Sequence, residues 1–147
     1  MHSKEDDSQE QLILPLVNRA GEYQEPAFVV LSESETGSCG IRLQFSQGVL
    51  EEQGENYFDV LVNIRNRLET YGFYLGCAGA SRGYYPSGMS KSMGTGRQVY
   101  RLYPGRVAKL SDLVDLFATD PSLEPATVKE QVQEYQDWFL SLSHQRK

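Results

Sequence analysis

Histidine is nearly missing from this 147-residue chain: the only two are His2 and His144, one near each terminus. Neither position suits a preorganised pocket, so Ser-His-Asp and Cys-His mechanisms lack their base. Imidazole zinc sites lack their ligands, and two cysteines cannot supply a four-thiolate site. Cys39 and Cys77 are too few for a disulfide framework and read as buried free thiols. The acidic residues show no calcium-loop spacing. The sequence therefore calls for no cofactor and no metal, and the expectation is a protein that is not an enzyme.

Long apolar runs are also missing. The opening, Met1-His2-Ser3-Lys4-Glu5-Asp6-Asp7, has neither the basic start nor the apolar centre of a signal peptide, and Pro15 interrupts the apolar run from Leu12 to Val17. A soluble, cytoplasmic chain with no membrane partner is expected. Its size and its 39% hydrophobic share fit one globular core. The net charge of -6 argues against nonspecific nucleic-acid binding.

Carboxylates are absent from one long stretch. Residues 1–69 carry 13 acidic and 5 basic side chains, and residues 110–147 carry 7 and 3. Between Glu69 and Asp112 there are only cations: Arg82, Lys91, Arg97, Arg101, Arg106 and Lys109. The charge of the chain is thus acidic at both ends and basic in the middle.

Residues 1–10 are polar and acidic without apolar period and read as a disordered arm, leaving 11–147 as one domain. Strands are expected at Leu12–Leu14, Phe28–Leu31, Ile41–Phe45, Phe73–Cys77 and Gln98–Tyr103, the second and third joined as a hairpin through the polar turn 34–40. Asn56 can cap a helix whose apolar face runs Tyr57, Leu61, Ile64, Leu68 and Tyr71, with Gly72 ending it. A short helix is expected from Ser111 to Asp120. A long one follows the capping box Thr127 to Glu130, with Val128, Val132, Tyr135, Phe139 and Leu142 along its buried face. Grouped strands and grouped helices imply an α+β fold, a mainly antiparallel sheet of about five strands packed by three helices.

The candidate chemistry lies in the carboxylate-free segment. Its glycines, from Gly83 to Gly96, allow backbone N–H groups to curl around an anion. Arg82, Lys91 and Arg97 would add charge there, with Ser87 or Ser90 adding a hydroxyl. The match to a phosphate-binding loop is weak, because Met89-Ser90 follows Gly88 where that motif needs Lys-Ser or Lys-Thr. Tyr84, Tyr85, Tyr100 and Tyr103 interleave with Arg82, Arg97 and Arg101, a mixture found in protein-binding hot spots, in base-stacking surfaces and in ordinary cores. An opposite candidate surface is the acidic set Glu51, Glu52 and Glu55, which suits a basic partner.

The stretch Tyr85-Pro86-Ser87-Gly88-Met89, with Met93-Gly94, Gly96-Arg97, Tyr100, Leu102, Asp112-Leu113-Val114-Asp115 and Phe117, resembles a family of small uncharacterised bacterial proteins. These in turn resemble the immunity proteins that accompany polymorphic or contact-dependent toxins. The resemblance covers about residues 73–118 and carries no catalytic signature. It implies a cytoplasmic protein that binds and neutralises a toxin domain. The alternative is a small anion-binding protein or enzyme built on the loop 82–97.

Overall fold

Residues 8–144 are described by the structure, a computed structural model. Strand β1 (Ser8–Val17) sends Leu14 and Leu16 inward and Gln11 and Ile13 outward, so alternation continues straight through Pro15. Pro15 is tolerated because it sits opposite Pro26 in β2 (Tyr23–Glu33) while its carbonyl accepts from Gly76 N on the far side. Its missing N–H therefore faces away from β2, where no cross-strand bond is lost. The expected arm over 1–10 is corrected at its end: residues 8–10 belong to β1, and residues 1–7 lie outside the described residues.

The hairpin from β2 to β3 (Cys39–Phe45) forms as expected, its turn closed by Ser34 N to Ser38 O and by Gly37 at φ 90°. A strand that the sequence did not suggest follows. β4 (Gly48–Gly54) pairs residue by residue with β3 across a two-residue turn, although only Leu50 of its seven residues is buried. Its sequence lacks a strand's apolar period, and the backbone ladder supplied by β3 sets its conformation.

Helix α1 (Tyr57–Glu69) lies on the inner face of this sheet. Asn56 caps it, accepting from Asp59 N at 2.9 Å and donating to Asp59 Oδ2 at 2.8 Å. Leu61, Ile64 and Leu68 are buried, whereas Tyr71, past the helix end, is half exposed. Gly72 takes φ 80° there. β5 (Tyr74–Leu75) then pairs with the end of β1, completing an antiparallel sheet ordered β4-β3-β2-β1-β5.

The remainder forms a second, smaller layer. β6 (Tyr84–Tyr85), β7 (Gln98–Arg101) and β8 (Leu113–Asp115) make a three-stranded antiparallel sheet, with the short helix α2 (Gly88–Met93) between the first two. The helix expected from Ser111 is a single 3-10 turn, Leu110–Asp112. Asp112 caps that turn by accepting from Lys109 N at 3.0 Å, after which β7 captures Val114 opposite Val99. The third helix of the fold is thus α2, inside the glycine-rich segment.

Helix α3 (Val128–His144) begins at the expected capping box, with Glu130 N donating to Thr127 Oγ1 and Thr127 N to Glu130 Oε1. Its buried face is not the expected one. Gln131 is buried, while Phe139 and Leu140 are each 60% exposed and Val132 is 37% exposed. The helix is phased by polar contacts. Arg65, 3% exposed, donates to Gln131 Oε1 at 2.6 Å, to Ala126 O and to Gly79 O, and Gln131 Nε2 donates to Gly79 O and Tyr84 O. The fold is α+β, and both cysteines are buried and free. Among the described residues no helix is long and apolar enough to cross a membrane.

Candidate functional site

The glycine-rich segment turns out to be occupied with its own chain. Thr95 and Gly96 both take positive φ, 57° and 68°, and a Cβ on Gly96 would lie 2.7 Å from Asn56 Oδ1 and 2.9 Å from Phe58 N. The glycine is therefore required by close packing on the head of α1. Thr95 O accepts from Tyr57 N at 2.7 Å, taking a helix-head donor that an anion would otherwise use.

The cations are similarly engaged. Lys91 Nζ lies 3.2 Å from Asp59 Oδ1. Arg97 donates to both oxygens of Glu10 at 3.1 Å, pairs with Asp115 at 3.2 Å and lies over the rings of Tyr57 and Phe117. Burial works against its charge, but the bonds to Glu10 and Asp115 prevail and raise its pKa. Ser87 Oγ accepts from Ser90 N as the cap of α2, and Ser90 Oγ donates to Gln98 O. Arg82 Nη1 donates to Glu134 Oε2 at 2.7 Å, and Gly83 N donates to the other oxygen of the same carboxylate. These donors build the fold and leave the segment poorly equipped as an anion cradle.

Glu52 pairs with Arg67 at 2.8 Å, while Glu51 on β4 and Glu55 beyond it are exposed. Cys77, fully buried, has its thiol pushed up to about 12 by burial, which keeps it protonated and unreactive at neutral pH.

What the structure does assemble is an open groove of about 430 Å³ between the β6–β7 hairpin and α3. Its walls are aromatic: Tyr84 and Tyr103 on one side, Tyr135 and Trp138 on the other. Gly83 makes this possible at φ 81°, because a Cβ there would meet Arg101 Nη1. Arg101 lies over Tyr84 and Tyr103, its guanidinium carbon 5.3 and 5.0 Å from the ring centroids, and Nη1 donates to Gly83 O. Arg106 stacks on Tyr103 at 4.2 Å. Trp138 Nε1 donates to Arg106 O at 3.0 Å, and Gly105 N donates to Ser141 Oγ, which pins the 103–106 turn to the helix. Behind the wall, Tyr85 stacks on Tyr135 with centroids 4.4 Å apart and meets Phe58 edge-on.

Of the residues singled out in the sequence, Arg82 and Tyr84 line this groove and Tyr85 supports it. Ser87, Lys91, Arg97 and the three glutamates lie outside it. Tyr103 and Arg101 belonged to the tyrosine–arginine interleaving. Tyr135 was expected only on the buried face of the last helix, and Trp138, Glu124 and Asp137 escaped notice, although the i, i+3 pair Tyr135 and Trp138 is a legible signal of an aromatic helix face. Val107 and Leu110, close in sequence to the pinned turn but outside the groove lining, are 67% and 80% exposed. A second hollow of about 430 Å³ on the outer sheet face, with Ile13, Phe28 and Arg42, has one aromatic in its lining, Phe28, where the groove has four.

A carboxylate network borders the groove. Glu130 accepts two bonds from Arg19 at 2.8 Å, caps Thr127 and lies 3.3 Å from Arg82. The bond from Arg19, then the bond from Thr127 N, lowers its pKa from 4.5 to about 2. A depressed carboxylate stabilises the fold fully above its unfolded value and loses that contribution as pH falls through its folded value. The stability difference between the native chain and Glu130→Gln should therefore be constant above pH 4.5 and shrink towards pH 2. Urea unfolding of both proteins across that range checks it, and a difference independent of pH would contradict it.

Among the described residues no three His, Cys, Asp or Glu side chains gather where they could hold a metal ion. No family model matches the chain, and no curated protein matches it.

Proposed function

We propose that this chain works by association: a protein-binding module of the immunity-protein kind, which neutralises a toxin domain by covering it. The groove between the β6–β7 hairpin and α3 is its contact face. One observation carries this reading. Four aromatic side chains and two arginines converge on an open groove of about 430 Å³, and Tyr, Trp and Arg are the residues that dominate binding hot spots. The net charge of -6 suits a basic partner, whose approach it would steer. The anion-loop alternative is weakened because Arg82, Lys91 and Arg97 are already ion-paired within the chain.

The test is comparative capture. Wild-type protein and the variants Trp138→Ala and Tyr103→Ala, each verified as folded by circular dichroism, are used as baits and the bound proteins quantified by mass spectrometry. A protein retained by the wild type and lost from both variants is the expected result. Equal retention on all three baits, or turnover of a phosphorylated small molecule that requires Arg97, would overturn the proposal.

A further inference from the structure

We infer that the groove receives an arginine side chain of the protein partner, lodged against Trp138 and Tyr135 with Asp137 and Glu124 as its counter-charges. This rests on the groove being the contact face proposed above.

The groove already shows how it treats a guanidinium. Arg101, from the same chain, lies against the rings of Tyr84 and Tyr103, and Arg106 lies against Tyr103. One aromatic wall is thus filled by intramolecular arginines. The opposite wall, Tyr135 and Trp138, carries no cation among the described residues, and an indole face is the strongest of the aromatic partners for one. Because the indole N–H is spent on Arg106 O, the ring face is what Trp138 has left to offer.

The charges select the sign of the guest. Arg82 is cancelled by Glu134 at 2.7 Å and by Glu130 at 3.3 Å. Glu124 and Asp137 are exposed, line the groove and form no ion pair among the described residues. Asp137 accepts one neutral bond, from Gln133 Nε2. Arg101 is the opposing charge, and its Nη1 is already directed to Gly83 O and Leu102 O. With Arg82 and Glu134 set against each other, an anionic guest would meet one partly engaged arginine beside the two carboxylates Glu124 and Asp137, whereas a cationic guest would gain both as counter-charges. Arginine fits better than lysine, because its planar fork can stack on a ring and reach a carboxylate in the same pose.

Trp138 is the sole tryptophan, so intrinsic fluorescence reports this groove without a label. The full chain is titrated with acetyl-Ala-Arg-Arg-Ala-amide and with the same peptide carrying citrulline or glutamate in place of arginine. The arginine peptide should give a saturable change, the citrulline peptide should bind at least about tenfold more weakly, and the glutamate peptide should give none. Glu124→Gln with Asp137→Asn should weaken the arginine peptide about tenfold. Glu22→Gln with Glu35→Gln, which neutralises as many carboxylates outside the groove, should leave affinity within about twofold. No saturable response, an equal response to citrulline, binding of the glutamate peptide, or equal effects of the two double variants would each overturn the inference. The capture experiment separates this failure from that of the contact face itself. If no peptide binds but a partner is still lost with Trp138→Ala, only the arginine guest is wrong. If the partner survives Trp138→Ala and Tyr103→Ala, the contact face is wrong as well.

Discussion

Replacing Arg65 with alanine should cost on the order of 2–5 kcal/mol of stability: Gln131 Oε1 and Ala126 O lose their donor at roughly 1–3 kcal/mol each, and Gly79 O keeps only Gln131 Nε2, less the desolvation recovered when a buried charge is removed. The residue is 3% exposed, and burial lowers its pKa to about 10, yet its nearest partners are neutral: Gln131 Oε1 and the carbonyls of Gly79 and Ala126. It joins α1 to the 3-10 turn Ala78–Ala80 and to the approach and first turn of α3. Out of a typical total of about 5–15 kcal/mol, that loss is large. Arg65→Met with Gln131→Leu should cost less than the sum of the two single changes, because an apolar pair leaves fewer orphaned groups than a half-broken polar one. Urea midpoints at constant m-value measure both. A loss below about 1 kcal/mol for Arg65→Ala would show that the network follows the fold without holding it.

The second large effect separates two apolar residues that look alike in the sequence. Leu61→Ala should cost about 2–5 kcal/mol, since Leu61 is 1% exposed beneath the main sheet and its removal leaves a cavity. Phe139→Ala should change stability by less than about 0.5 kcal/mol, since that ring is 60% exposed on the outer flank of α3. Thermal melts of the two variants decide the matter. Comparable losses would mean that α3 turns its apolar stripe inward after all.

Phe139 also illustrates what can be read from a sequence and what cannot. Local chemistry was legible: the Asn56 and Thr127 caps, the Gly72 stop, the turn at 34–38 and the buried thiols all follow from neighbours a few residues apart. Elements set by distant partners were not. β4 exists because β3 offers it a ladder, and Leu113–Asp115 became a strand because β7 had an open edge. The phase of α3 depends on Gln131 meeting Arg65, 66 residues away, and no apolar periodicity encodes that. The glycine-rich cationic segment drew attention for sound reasons, but its counter-charges, Glu10, Asp59, Asp115, Glu130 and Glu134, lie outside it. The groove takes its walls from residues 84, 103, 135 and 138, which no contiguous motif could reveal.

On the proposal above, binding belongs to this groove, and the cations of the glycine-rich segment serve the architecture. Equilibrium titration of the captured partner against wild type, Trp138→Ala and Lys91→Ala tests it most directly, with circular dichroism establishing that each variant is folded. Lys91 pairs with Asp59 and lies outside the groove, so its removal should leave affinity within about threefold. Trp138→Ala should lose at least about 2 kcal/mol, roughly 30-fold in Kd, as the removal of a central aromatic anchor does. The reverse pattern, with Trp138→Ala binding like wild type and Lys91→Ala losing the partner, would return the site to the glycine-rich segment and contradict the account.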